Sequence, residues 1–454
     1  MKKNKIIQIV FFLSLFSLTS NLFAQSDLSI NGYIQTDNRV RLDNGQFTWN
    51  ENRLNLKFEG APSDKYHFFS EVRLRGYGFP DVNNTFDLQM QEKDKVYNWG
   101  LEFREAYLDL YQFGLNDLDI RIGRQIIVWG TADKINPTNN ISPDDLEDIF
   151  NFGEQLGTNA IKADYYWNDV TLTGVFVPVF TPATLPFGNY SQAFVPAFNV
   201  PPGMSIRNIS DKITLPETKL SETSQFAFKA ATNLFDYDLS LSYYNGRDDF
   251  PLADETVITP VDTLGTTDIQ SGMIYPKMQV IGADFSGSIF DIGVWGEGAL
   301  FLPDKVDMNT YIQTPFGLNR INKSIALDDD PYFKYVVGFD YTFSNSWYVN
   351  TQFIHGFIHE RGNDNLNDYI AFRIEKKFFN DKLKVVPIGG VITVTDWDDL
   401  DKNYGIAGNP EITYYPTDNI EMKTGAFILY GEGDNMFSRI QDQDELYVKA
   451  KVSF

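Results

Sequence analysis

The chain has 454 residues, no cysteine, and 61 acidic against 38 basic residues, for a formal net charge of −23. That balance argues against a nucleic-acid partner, whose phosphates call for a basic face, and the missing thiols exclude a disulfide-stapled fold. Aromatic residues make up 15% of the chain while mean hydropathy stays negative at −0.27, a combination that suits lipid-facing strands with aromatic girdles around a wet lumen.

The N-terminus reads as an export signal. Lys2, Lys3 and Lys5 precede an apolar run, Ile6 to Leu18, and Ala24-Gln25 offers a cleavage point. The run is about 13 residues long, short of the ~20 a spanning helix needs. Residues 1–24 are therefore expected to be a signal peptide and residues 25–454 one outer-membrane domain, with lipids and lipopolysaccharide as its surroundings.

After residue 25 the pattern is one of strands. Leu28, Ile30, Ile34, Val40 and Leu42 share one face, as do Leu54, Leu56 and Phe58, and Phe333 to Phe343 alternate most clearly. Period 2 with an apolar and a polar face is the signature of a strand between lipid and water. Eight short turns, centred near residues 63, 115, 168, 236, 290, 345, 380 and 418, alternate with nine long connections. The long ones are 43–48, 78–98, 130–157, 179–222, 247–275, 303–330, 359–367, 396–403 and 431–443. The fold expected is all-β: a transmembrane antiparallel barrel of about 18 strands with short periplasmic turns and long extracellular loops. Sixteen strands result if the 43–48 and 396–403 hairpins do not form.

The first five strands carry an arginine-rich inward face. Arg39, Arg41, Arg53, Lys57, Arg73, Arg75, Arg104 and Arg121 are assigned to the lumen, interleaved with Asp37, Glu59, Glu71, Glu102 and Asp119. On the lipid face such charges would cost ~2–4 kcal/mol at mid-membrane. Two readings stay open: a ladder of paired charges bracing the wall, or a transverse field that selects polar or anionic solutes.

Strand five holds Arg121–Gly130, RIGRQIIVWG, with Gly123, Arg124, Gln125, Trp129 and Gly130 as its distinctive residues. Arg124 falls on the lipid parity of Ile120 and Ile122, so a bulge at Gly123 that turns it inward is expected. This stretch, followed by Asn136-Pro137 and Pro143-Asp144-Asp145, resembles an outer-membrane family known as domain of unknown function 1302, whose members carry a similar Arg-x-Gly-Arg-Gln…Trp-Gly run. Val177–Pro186, VPVFTPATLP, resembles the same family's strand end, with Pro178, Leu185 and Pro186 in matching places. The likeness covers residues 117–190. It implies an outer-membrane transport role, with apolar or lipid-like compounds among the candidates, and names no substrate.

Two loops stand out. Ser142 as cap, Pro143 at the first helical position, Asp144 and Asp145 in the first turn, and Gly153 as stop predict a short helix. It either folds into the pore as a constriction or caps the rim. The 179–222 loop sets Phe180, Leu185, Phe187, Phe194 and Phe198 among prolines. Such apolar surface either packs into the barrel mouth or receives a hydrophobic substrate.

Catalytic chemistry finds little support. His355 and His359 lie ~13 Å apart along a strand, too far for one ion, and no local nucleophile signature stands out. No cofactor or metal is expected, nor an enzyme. At the end, Leu446, Val448, Ala450, Val452 and Phe454 alternate with polar residues. A terminal apolar strand of this kind resembles the closing strand that barrel-assembly machinery engages. The functional expectation is a selective or gated channel; the alternatives are a transporter of hydrophobic compounds or a non-transporting surface or assembly barrel.

Overall fold

The computed structural model describes residues 28–89, 95–194 and 205–454. The expected signal peptide and Phe198 lie outside the described residues. The strands in chain order are β1 Ser29–Arg41, β2 Phe47–Ser63, β3 Tyr66–Tyr77, β4 Asn98–Leu110, β5 Leu118–Gln125, β6 Thr158–Trp167, β7 Val170–Val177 and β8 Ser205–Ile213. There follow β9 Gln225–Leu234, β10 Tyr237–Arg247, β11 Leu252–Pro260, β12 Thr266–Ile274, β13 Lys277–Ile289, β14 Ile292–Pro303, β15 Val306–Thr314 and β16 Gly317–Leu327. The last are β17 Tyr332–Thr342, β18 Trp347–His355, β19 Asp368–Phe378, β20 Leu383–Val394, β21 Tyr404–Gly408, β22 Glu411–Thr417, β23 Ile420–Glu432 and β24 Glu445–Ser453.

Nineteen of these form one antiparallel sheet that closes on itself. β21 and β22 are two halves of a single wall strand, because both pair with β20 on one side and β23 on the other. The barrel therefore has 18 strands, as the turn pattern predicts. Both doubtful hairpins form. Closure joins β1 to β24, with Tyr33 opposite Ser453, and Phe454 N and O each bond Gly32 at 2.9 Å.

Residue chemistry explains the tight rim. Phe235 and Asp236 both take positive φ (55° and 65°), the geometry of a type I′ turn that matches strand twist. Phe113, Phe235, Phe290, Phe343 and Phe379 stand exposed along this rim, where an aromatic girdle meets the lipid headgroups. Above it Ile34, Leu101, Ile122, Phe228, Leu241, Val337, Ile388, Ile412 and Val448 point outward and exposed. A closed barrel wearing such an apolar band is an outer-membrane architecture, since only closed barrels and helices satisfy their backbone in hydrocarbon. No helix among the described residues is long and apolar enough to cross a membrane.

The loops hold a second sheet. β16, β15, β11, β12 and β8 form five strands drawn from three different long connections. β11 pairs β15 in parallel and β12 pairs β8 in parallel. The sequence reading leaves these segments as loops. Their partners lie in other connections, so no hairpin turn announces the joining pairs.

The apolar core sits inside the lumen. Ile135, Ile149, Ala193, Val336, Ile354, Phe357, Tyr369, Leu429 and Phe437 cluster there, contributed by both wall and inward-folded loops.

Candidate functional site

Strand alternation puts the early arginines on one inner wall, and each meets an acid or amide. Arg39 Nη2 lies 2.8 Å from Asp37 Oδ2, and its guanidinium stacks 4.7 Å from the Trp49 ring. Arg53 Nε bonds Glu51 at 2.8 Å, and Arg121 Nε bonds Asp109 at 2.6 Å while lying over Tyr107. Lys57 and Glu71 are 3.5 Å apart; Arg73 and Glu102 are 3.9 Å apart. Arg41 bonds Gln443 across the closure. Asp119 accepts the Gln112 amide at 2.9 Å, so it fixes the periplasmic turn and takes no part in the ladder.

The bulge of this wall sits in β4 rather than β5. Pairing steps from Glu71↔Glu105 to Val72↔Phe103, which leaves Arg104 over. Arg104 thereby reaches Glu71 at 3.4 Å, Glu154 at 3.0 Å and the Gln155 carbonyl at 3.2 Å. Register through Gly123 is unbroken on both sides, despite its φ of +133°. The expected Gly123 bulge is thus corrected: Arg124 keeps the outward parity of Ile122. It is accommodated because it lies at the strand end, where its Nε donates to the Phe103 carbonyl at 2.7 Å. Gln125 turns inward, fully buried, and donates to Ala160 O at 3.0 Å.

The connection 126–157 folds into the lumen and crosses it. On the arginine wall Arg39 grips Asp148, Arg75 and Tyr77 grip Glu147, and Arg104 grips Glu154. On the far wall Asn350 Nδ2 donates to Asp133 Oδ2 at 2.8 Å, and Thr138 donates to Glu297 at 2.6 Å. Burial alone would raise the Asp148 carboxyl, but Arg39 overrides it and holds it below the usual carboxylate range. Trp129 is buried where the crossing begins. Gly130 has φ +99°, and a Cβ there would meet Thr138 Oγ1 at 2.7 Å.

The predicted helix at Ser142 does not form. Ser142 Oγ accepts the Ile127 amide at 2.8 Å, so it is not a cap. The Pro143 carbonyl accepts Leu156 N, Asp145 N donates to Glu154 O, and Asp144 N donates to Asp249 Oδ2 at 2.7 Å. These groups are committed to neighbouring segments, the Asp144 carbonyl accepts Thr184 N, and Asp145 further accepts Thr184 Oγ1 at 2.7 Å.

The 179–222 loop enters the mouth as far as it is described. Phe180 is buried against Tyr275 at 4.9 Å, and Phe187 lies 5.7 Å from Trp49 while staying half exposed. Leu185 remains exposed. A 3-10 turn, Gly188–Phe194, buries Ala193 completely. Arg439 donates to the Ala193 carbonyl at 3.1 Å, Tyr190 bonds Glu445, and Phe194 packs edge-on against His359 at 4.8 Å.

Two features went unread in the sequence. One is an acid cluster where loops meet: Asp144, Asp248 and Asp249 around a small cavity, held by Arg361 at 2.6 Å from Asp248. Lost hydration, with Asp248 beside it, pushes Asp249 up to about 7; burial and the same neighbours raise Asp144. Burial, then Lys334 and Arg361, pushes His359 down to about 3, so its ring is neutral. The other is a larger cavity of about 420 Å³ under the crossing segment, walled by Ile135, Ile149, Phe150, Ile354, Leu429 and Phe437. The apolar run in Asn435–Ile440, inside a predicted loop, was the available signal.

The barrel is similar in shape to Salmonella typhi OmpF in complex with daunomycin, at 10% identity and TM-score 0.40, over 95% of this chain and 98% of that one. It is also similar to OmpT, an outer membrane protein of Vibrio cholerae, at 8% identity and TM-score 0.43, over 95% and 98%. No curated protein matches the sequence. A family profile matches residues 24–419, and the chain belongs to that family, described as protein of unknown function (DUF1302).

Proposed function

We propose that the protein is a non-enzymatic outer-membrane channel whose 126–157 segment makes it selective rather than a plain sieve. One observation carries this reading: a single inward-folded segment is bonded to both opposite walls, by Arg39, Arg75 and Arg104 on one side and by Asn350 and Glu297 on the other. Solutes passing the lumen must skirt this crossing. The charges there are paired, so the local field is set by their imbalance, and wall arginines outside the crossing supply its positive part.

The test is conductance. The refolded barrel in a planar bilayer should show discrete ion steps, and replacing Arg73, which does not hold the crossing, by Glu should shift selectivity toward cations. Absence of conductance at every voltage would overturn the channel reading.

A second reading is favoured by the apolar cavity: passage of hydrophobic molecules. Water-filled pores have no use for a lumen pocket lined by Ile, Leu and Phe.

A further inference from the structure

The wall is irregular where the cavity touches it. Along β20, Val386 pairs Glu411 of β22 and Gly390 pairs Gly408 of β21. Between these points the register slips by one residue, which leaves Pro387 over in β20 as a bulge with no amide to give. A single backbone bond, Asn409 N to Gly389 O at 2.6 Å, spans the interval among the described residues. On the other side, pairing of β19 with β20 shifts from Ile374↔Ile388 to Lys376↔Val385, so β20 is irregular on both flanks here.

On the inner face the seam is lined mostly by glycine. Gly389, Gly390, Gly408 and Asn409 line the cavity directly. A Cβ on Gly408 would meet nothing closer than 3.7 Å. Pro387, Ile388 and Ile412 lie exposed on the outer face, toward lipid. Continuous pairing removes the edges of a barrel; here the ladder is interrupted on both flanks of β20. Glycine backbone forms the inner side of the wall here, with Pro387 and Ile388 over it on the lipid side.

The chamber is not wholly apolar. Lys134, on the crossing segment, lines it and makes no ion pair or hydrogen bond among the described residues. The other cation there, Arg373, is taken by Glu375 at 3.0 Å and Glu411 at 3.5 Å. A cation without a partner among the described residues, on a chamber wall that also carries Ile135 and Phe152, suits a ligand with a long apolar body and one anionic group.

We infer that the lumen cavity binds an amphiphile of this kind, head toward Lys134, and releases it sideways through the seam between β20 and β21/β22 into the membrane. This rests on the second reading above and adds the ligand class, the residue that reads its head, and the exit.

The probe is an anthroyloxy-labelled stearate and its methyl ester, titrated against the refolded full barrel. Saturable binding of the acid, displaced by unlabelled palmitate, is expected. Lys134→Gln should weaken the acid about tenfold, as loss of a charge-assisted contact would, and leave the ester unchanged. Ala407→Trp, which fills the chamber, should weaken both. The Pro387→Val variant restores the missing amide of β20 to the ladder. It should bind as wild type yet deliver the probe into vesicle bilayers about tenfold more slowly, because pairing closes the seam. Gel mobility before and after boiling checks that each variant is folded, and palmitate displacement on the wild type needs no variant at all. Absent saturable binding, an ester as sensitive as the acid to Lys134→Gln, or an unchanged delivery rate in the ladder-repaired barrel would each overturn the inference. Ion conductance recorded on the same preparations separates the outcomes: conductance without probe binding defeats this inference alone, and probe delivery without conductance defeats the channel reading alone.

Discussion

Arg39 and Asp148, 109 residues apart in the chain, meet inside the barrel in a two-pronged ion pair, Nη1 to Oδ1 at 2.7 Å and Nη2 to Oδ2. The arginine is also held by Asp37 and by the face of Trp49. It is buried, so the pair is not weakened by solvent as a surface pair would be.

Removing one partner of this pair should release the crossing segment. Arg39→Ala leaves Asp148 uncompensated, at a cost of about 3 kcal/mol, which is roughly a hundredfold change in the population of the released form. Single-channel recording should show a larger, noisier current. Combined with Asp148→Ala, the added effect should be smaller than the sum of the single changes. Currents identical to wild type would mean that other contacts alone hold the segment.

The acid cluster makes the loop packing sensitive to pH. Asp249 holds its proton to about 7 in the folded molecule, while a free Asp releases it near 4. A raised pKa contributes stability that is fully present below about pH 4 and lost as pH rises through about 7. The joint between Asp144 and Asp249 should therefore loosen from pH 5 to pH 8, read as falling amide protection factors in 144–147, with the base-catalysed rise of intrinsic exchange divided out. Asp249→Asn should flatten that dependence. Protection factors that do not fall between pH 5 and pH 8 in the wild type would contradict the assignment.

Gly123 has little tolerance. Its φ is +133°, and a Cβ there would sit 2.8 Å from Tyr107 Cα on the neighbouring strand. Gly123→Val should cost about 2 kcal/mol or more, from backbone strain and overlap together. The expected readout is a lower midpoint in urea refolding into lipid vesicles. An unshifted midpoint would show that β4 and β5 separate freely.

Phe454 closes the ring through two backbone bonds to Gly32. Its deletion should cost about 2 kcal/mol at about 1 kcal/mol per bond. Unfolding should shift to lower urea with its slope unchanged. A changed slope would mean that closure of the whole barrel, and not one pair, had been lost.

The wall was legible in the sequence because period 2 repeats at every strand and because Asn168-Asp169, Phe290-Asp291 and their like mark one tight rim. The arginine wall was legible for the same reason: parity fixes the face of Arg39, Arg73 and Arg75. What parity cannot show is which residue a bulge absorbs. It suggested Gly123, and the register drops Arg104 instead. The helix signal at Ser142 was locally sound and lost to partners distant in sequence, Asp249 and Arg39 among them. The chamber was hidden because its lining comes from five wall strands and the connections folded between them, each offering a few apolar residues that look like ordinary packing. Pro387 was present in plain view, but only the register shows it to be the residue left over in β20.

The five-stranded sheet of the outer mouth ties three connections into one body. β8 has its ladder only in β12, and β15 borrows β11. Surface loops usually vary independently, each tolerating insertion or loss without regard to the others. Here that freedom is gone. A mutation that shortens one connection bares a strand edge on another, so the cell-surface face of this protein must change as a set, and a phage or antibody that selects against one loop selects on all three.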